Sequence, residues 1–179
     1  MTEKNTIREE AKRVRASIQH AADDADRFYT QFEALNTSGI VSAYWPKRDE
    51  ASPLAIIENL LQQGRTVCLP CLHDHKMDFV LYVGQELEKG AFGLMQPRLE
   101  QDKIVTPDVM IIPLLAFDRT GTRLGYGKGH YDQYMSLVEK PLLKVGMAYD
   151  AQLCLFPLPV EPHDVRLDIV ITPTQVYKF

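Results

Sequence analysis

The chain has 179 residues, 45% of them hydrophobic and 25% charged, which is enough to bury a real core and too apolar for disorder or a fibre. A formal net charge of −4 gives no overall attraction to nucleic acid or an anionic membrane, so any polyanionic ligand has to be held by a local basic cluster. Three cysteines do not make a disulfide framework.

The first residues lead into a charged helix and not into a signal peptide, and no apolar run approaches the length of a membrane span, so a cytoplasmic location is expected. Residues 4–20 place Ile7, Ala11, Val14 and Ile18 on one helical stripe. Lys4 and Arg8, four apart, share a face. Asp23 and Asp24 open a second predicted helix, with Phe28, Phe32 and Leu35 inward. Gly39 to Trp45 reads as a strand. Pro53 to Gln63 reads as a helix opened by proline and closed by Gly64. Thr66 to Leu72 and Phe79 to Val83 read as strands. Residues 84–107 carry three glycines and two prolines and read mostly as loop. Val109 to Ala116 is almost wholly apolar, as a strand buried on both faces would be. A helix is predicted from His130 to Glu139, then strands over Leu143 to Tyr149 and Asp168 to Thr172.

Strands alternating with helices imply one α/β domain over residues 1–179, a three-layer α/β/α arrangement around a largely parallel sheet. Such folds bind ligands beyond the carboxyl ends of their strands. Trp45, Glu50 and Tyr149 sit at or just past such ends, and so does the most informative segment, Phe117 to Asp132. There Gly125, Gly127 and Gly129 alternate between an apolar run and a helix. Glycines let a ligand approach the backbone, and a loop feeding a helix N-terminus offers free amides to an anion. Arg123 and Lys128 add positive charge, and Asp132 adds a hard oxygen. The set suits a nucleoside triphosphate with magnesium. The spacing fits neither a P-loop nor Gly-x-Gly-x-x-Gly.

Cys68-Leu69-Pro70-Cys71-Leu72-His73-Asp74-His75 imitates a zinc site. Against that, the cysteines lie in an apolar strand pattern, no second pair exists, and residues three apart on a strand point to opposite faces.

The string from Arg123 to Asp132 resembles the 5-formyltetrahydrofolate cyclo-ligase family, also called 5,10-methenyltetrahydrofolate synthetases. So do Lys4-x-x-x-Arg8, the segment from Tyr44-Trp45 to Asp49-Glu50, and the segment from Asp164 to Pro173. The resemblance implies an ATP- and magnesium-dependent ligase of small molecules. It closes 5-formyltetrahydrofolate to 5,10-methenyltetrahydrofolate through a phosphorylated formyl group, with neither nucleic acid nor membrane as partner and a monomer expected. It implies ATP contacts at Lys4, Arg8 and the run Arg123, Leu124, Gly125, Tyr126, Gly127, Lys128, Gly129, His130 and Tyr131. Folate contacts are implied at Arg8, Trp45, Glu50, Tyr126, Gly127, Lys128, Gly129 and His130. Catalytic roles fall to Arg123, Lys128 and Tyr131. Magnesium is assigned to Asp132 and Asp168, with Asp164 and Arg166 shaping the same loop and Asp164 outside the ligand set. The family has Tyr or Phe where His130 stands and often glycine at Lys128.

Rival readings are a non-catalytic folate or nucleotide-binding module, an RNA-associated relative, and an unrelated α/β enzyme of sugar phosphates or coenzyme A thioesters. The acidic balance and the lack of a basic, aromatic-interleaved tract disfavour RNA.

Overall fold

The computed structural model describes residues 3–179. Its elements run α1 (Glu3–Ala16), α2 (Asp24–Glu33), β1 (Val41–Ser42), α3 (Leu54–Gln62), β2 (Val67–His73), β3 (Lys76–Tyr82), β4 (Glu88–Lys89) and β5 (Met95–Gln96). Then follow β6 (Val109–Pro113), β7 (Ala116–Asp118), β8 (Arg123–Leu124), α4 (His130–Leu137), β9 (Leu143–Met147), β10 (Leu153–Cys154), β11 (Ile169–Ile171) and β12 (Val176–Lys178).

Seven strands form the main sheet in the order β12-β11-β9-β6-β1-β2-β3. From β11 to β2 every pairing is parallel, while β12 and β3 are antiparallel edges. Strand alternation divides β6 between two cores. Val109 and Ile111 join Phe28, Phe32, Ile56 and Leu60 from α2 and α3 on one face. Met110 and Ile112 join Phe79, Phe117 and Met135 of α4 on the other. The architecture is therefore the expected α/β/α sandwich, with α4 and a small β10-β7-β8 sheet sharing the second face. Among the described residues, no helix is long and apolar enough to cross a membrane.

The structure departs from the sequence expectations where tertiary contacts decide. The apolar run 109–116 breaks after Pro113, and β7 leaves the main sheet to pair with β8 and β10. α1 ends at Ala16, not at residue 20. β3 starts at Lys76, through a tight hairpin whose turn residues Asp74 and His75 have φ of 43° and 62°. In the segment expected to be loop, β4 and β5 form a hairpin. It docks on β2 through Gln96, whose amide bonds both main-chain groups of Leu72 at 3.0 and 3.4 Å. A Cβ on Gly90 would lie 2.2 Å from that amide oxygen, so glycine clears the way for a buried glutamine.

Candidate active site

The carboxyl ends of β1, β2 and β6 open into a cavity of about 410 Å³. Its floor is apolar and aromatic, with Trp45, Pro70, Leu72, Met77, Leu94 and Tyr131. Its mouth is polar, with Lys4, Arg8, Arg123, Lys128 and the backbone of Gly125 to Gly129, joined by Asp132, Glu161, His163 and Asp164. A flat, largely apolar group fits the first half and a polyanion the second.

Local conformation explains the glycine loop. Gly127 has φ of +87°, and a Cβ there would lie 3.0 Å from the Arg8 guanidinium carbon. Arg8 donates from Nε to the Gly125 carbonyl at 3.2 Å, pinning the loop to α1. Gly129, at φ of 70°, turns the chain into α4, so Tyr131 and Asp132 fall in the first helical turn. A carboxylate there is favoured by the helix dipole.

The cations divide into two classes. Lys4 is ion-paired to Asp164 at 2.6 Å and Glu161 at 2.9 Å. Burial alone would lower its pKa, but the hydrogen bonds to Asp164 and Glu161 outweigh this and raise it. Arg123 reaches Asp132 at 2.7 Å and also donates to the Val165 carbonyl. Arg8 and Lys128, by contrast, have no carboxylate partner among the described residues. Arg8 bonds Asn5 and Gly125, and the Lys128 ammonium lies 4.8 Å from the Phe92 ring centre. With Lys47, whose ammonium donates to the Phe92 carbonyl, they are the cavity cations that no carboxylate neutralises among the described residues.

Asp132 and Asp164 each take their hydrogen bonds on one carboxylate oxygen, and the other oxygen of Asp164 lies 3.9 Å from the His163 Nε2. Asp132 Oδ1 accepts from Arg123 and from the Val165 N–H at 2.9 Å. Asp164 Oδ2 accepts from Lys4 and from the Glu161 N–H. The second oxygen of each accepts no hydrogen bond within the described residues. A hard cation with phosphate and water for its other ligands needs no more than two such oxygens from the protein, so the residues fit magnesium.

The expected pair was Asp132 with Asp168, and the fold separates them. Asp168 precedes β11, at the amino ends of the parallel strands. Its Oδ2 accepts from the Lys144 N–H at 2.8 Å and pairs with the Lys144 ammonium at 3.0 Å. It takes no part in lining the cavity. Asp164, left outside the expected ligand set, lines the cavity with Asp132, and its chain neighbour Val165 donates its N–H to the Asp132 carboxylate.

On the opposite wall, Glu50 accepts from the Tyr126 hydroxyl at 2.7 Å and the Lys47 N–H at 2.8 Å. The Tyr44 hydroxyl donates to the Ala51 carbonyl and fixes this loop. Trp45 packs edge-on to Tyr82 at 6.1 Å between ring centres. Tyr131 is half-buried at the base, and desolvation, with Glu50 nearby, pushes its hydroxyl well above the usual phenol range, so it is a neutral wall. Leu124 is buried under the loop against Ala11 and Leu158, and only its main chain can serve a ligand. Burial first, then Lys128 and His75, lower the pKa of His130. Its ring sits 6.1 Å from that of Phe92, in keeping with an aromatic slot.

The sequence reasoning missed Phe92, Leu94 and Gln96, which come from the segment taken for loop, and Glu161 and His163. The signal for Phe92 was available in Gly90-Ala91-Phe92-Gly93, an aromatic between two glycines. Phe92 itself takes φ of 57° with its ring half exposed, and its carbonyl accepts from the Lys47 ammonium. Cys68 and Cys71 are buried and apart from the mouth. Burial raises both thiol pKa values, as expected of packing residues rather than ligands.

Comparison with known proteins shows what the chain and its fold are similar to. The model of the 5-formyltetrahydrofolate cyclo-ligase family matches residues 1–173. The 5-formyltetrahydrofolate cyclo-ligase of Haemophilus influenzae is 31% identical, over 92% of this chain and 95% of that protein. The enzyme of the same name from Mycolicibacterium smegmatis is also 31% identical, over 95% and 93%. The solved structure of Aquifex aeolicus 5,10-methenyltetrahydrofolate synthetase superposes with a TM-score of 0.83 at 24% identity, over 99% of this chain and 93% of that one.

Proposed function

The chain belongs to the 5-formyltetrahydrofolate cyclo-ligase family, and on that premise we propose that it converts 5-formyltetrahydrofolate and ATP to 5,10-methenyltetrahydrofolate, ADP and phosphate. The observation that carries the reading is the two-part cavity, in which an aromatic floor adjoins a glycine-lined mouth with unpaired cations and two half-free carboxylates.

The formamide oxygen of the substrate is a poor leaving group. Its attack on the γ-phosphorus of ATP releases ADP and leaves an iminium phosphate. Nitrogen-10 of the folate then adds to the activated carbon. That addition closes the ring, and loss of the nitrogen-10 proton and of phosphate, which carries away the formyl oxygen, leaves the methenyl bridge. No covalent enzyme intermediate is required, consistent with a pocket whose work is positioning and charge neutralisation.

Arg8, Lys128 and the amides of Gly125 to Gly129 hold the phosphates. Arg123 keeps Asp132 in place and faces the transferred phosphoryl group. Lys4 sets Asp164 and Glu161 at the mouth. Asp132 and Asp164 would hold Mg²⁺, which when bound offsets the charge of the triphosphate. Trp45 and Tyr131 wall the pterin, Glu50 accepts from its N–H groups, and Phe92 and His130 cover the outer side. A cytoplasmic, monomeric enzyme of one-carbon metabolism is the corresponding cellular reading.

The test is stoichiometric. ADP release by the purified protein should require 5-formyltetrahydrofolate and equal the folate consumed. Folate and ATP both bound without ADP release would instead indicate a binding module.

A further inference from the structure

Arg15 lies one helical turn beyond Ala11 on the Lys4–Arg8 stripe of α1, yet it does not line the cavity. Its side chain is 4% exposed. A buried guanidinium is costly unless its donors are matched; here Nε is buried without a partner among the described residues, and the matching falls on the two terminal nitrogens, with a direction. Nη2 donates to Asp49 Oδ1 at 3.0 Å and to the Tyr126 hydroxyl at 2.5 Å, and Nη1 reaches the Leu114 carbonyl at 3.4 Å. The Tyr126 hydroxyl has one proton, which it gives to Glu50 Oε1 at 2.7 Å. Toward Arg15 it can only accept. Two routes from one guanidinium thus end at Glu50: one through Asp49, its neighbour in the chain, the other through Tyr126.

We propose that Arg15 is a positioning residue for the folate half of the site, acting through Asp49 and Tyr126 to hold Glu50 in its pterin-accepting orientation. The proposal rests on the assigned reaction. Arg15 touches no substrate. It joins α1, the loop after β1, the end of β6 and the glycine loop at a single buried point, so Glu50 Oε1 is fixed by a directed relay while Oε2 is fixed by the Lys47 N–H. Lysine would keep the charge and lose the fork.

Trp45 is the chain's only tryptophan and lines the floor, so its fluorescence reports binding without turnover. The experiment titrates wild type, Arg15→Met, Glu50→Gln and the double variant with 5-formyltetrahydrofolate, and separately with ATP. Each single variant is expected to weaken folate binding by about tenfold, and the double variant no further than Glu50→Gln alone, because residues acting as one unit are non-additive. ATP binding should change by less than about threefold, as for loss of one contact at most. If Arg15→Met does not fold, Tyr126→Phe leaves the sequence of α1 and the Asp49 route intact and removes only the hydroxyl route, so it should give a smaller loss of folate binding that is again non-additive with Glu50→Gln. Multiplicative losses, or equal losses for both ligands, would mean that Arg15 serves only the fold and overturn the proposal. A wild-type protein that does not bind 5-formyltetrahydrofolate would overturn the assigned substrate as well, so the two failures are distinguishable.

Discussion

Replacing Gly127 by alanine perturbs two things at once. Its φ of +87° lies where an L side chain is strained, and the new Cβ would stand 3.0 to 3.3 Å from three atoms of the Arg8 guanidinium. The backbone term costs about 1–2 kcal/mol. Arg8 sits at the end of a flexible side chain and can retreat, but it then loses its bond to the Gly125 carbonyl, about 1 kcal/mol more. Reduced freedom of the unfolded chain returns about 0.5 kcal/mol. The net expectation is a loss of about 2 kcal/mol, or about 4–8 °C in Tm for a chain of this size. Gly125→Ala is the control. A Cβ there meets nothing within 4 Å, so stability should move by less than about 0.5 kcal/mol. That open space is the cavity itself, so Gly125→Ala should still weaken ATP. Thermal and urea melts of both variants, with nucleotide titrations, provide the comparison. Equal Tm values for Gly127→Ala and wild type would refute the loop reasoning, and unimpaired ATP binding by Gly125→Ala would refute close approach of ligand to this backbone.

Other outcomes follow from the same contacts. Asp164→Asn should raise the magnesium concentration needed for half-maximal activity by more than about tenfold, whereas Asp168→Asn should leave it unchanged, and the reverse ranking would restore the pairing expected from sequence. Arg123→Ala should weaken ATP more than folate in steady-state KM values; equal losses would argue against a role at the phosphates. Asp118 is buried, and although burial alone would raise its pKa, four donors from Leu158, Thr120 and Thr122 outweigh that and lower it. A depressed folded pKa gives stability that is present above the ordinary value of 3.8 and is lost as pH falls through the folded one. Asp118→Asn should therefore destabilise at neutral pH by about 1–3 kcal/mol and flatten the acid limb of a pH–Tm profile; an unchanged acid limb would contradict this.

The periodic elements were legible because their cores are periodic. Phe28 and Phe32 on α2, and the doubly buried β6, show in sequence what they do in the fold. The glycine loop was legible as well, since its strand-to-helix setting is local. Asp164 and Asp168 were not separable in sequence. Both are aspartates four apart in one segment, and only the register of β11 beside β9 carries Asp168 to Lys144 at the far edge. Gln96 could not be read either, because it acts as a buried substitute for strand pairing against Leu72. Arg15 was hidden by its type. Positions 4, 8, 11 and 15 share a helix face, but an arginine on that face reads as solvated until Asp49 and Tyr126 are brought beside it.

The central claim is that one pocket couples ATP to closure of a formylated folate. The most direct measurement follows the near-ultraviolet absorbance of the methenyl product on mixing protein, 5-formyltetrahydrofolate and Mg²⁺, with and without ATP. The expected result is a band that grows only with ATP and is lost in a folded Asp132→Ala variant. A flat trace from protein that still binds both ligands would contradict it.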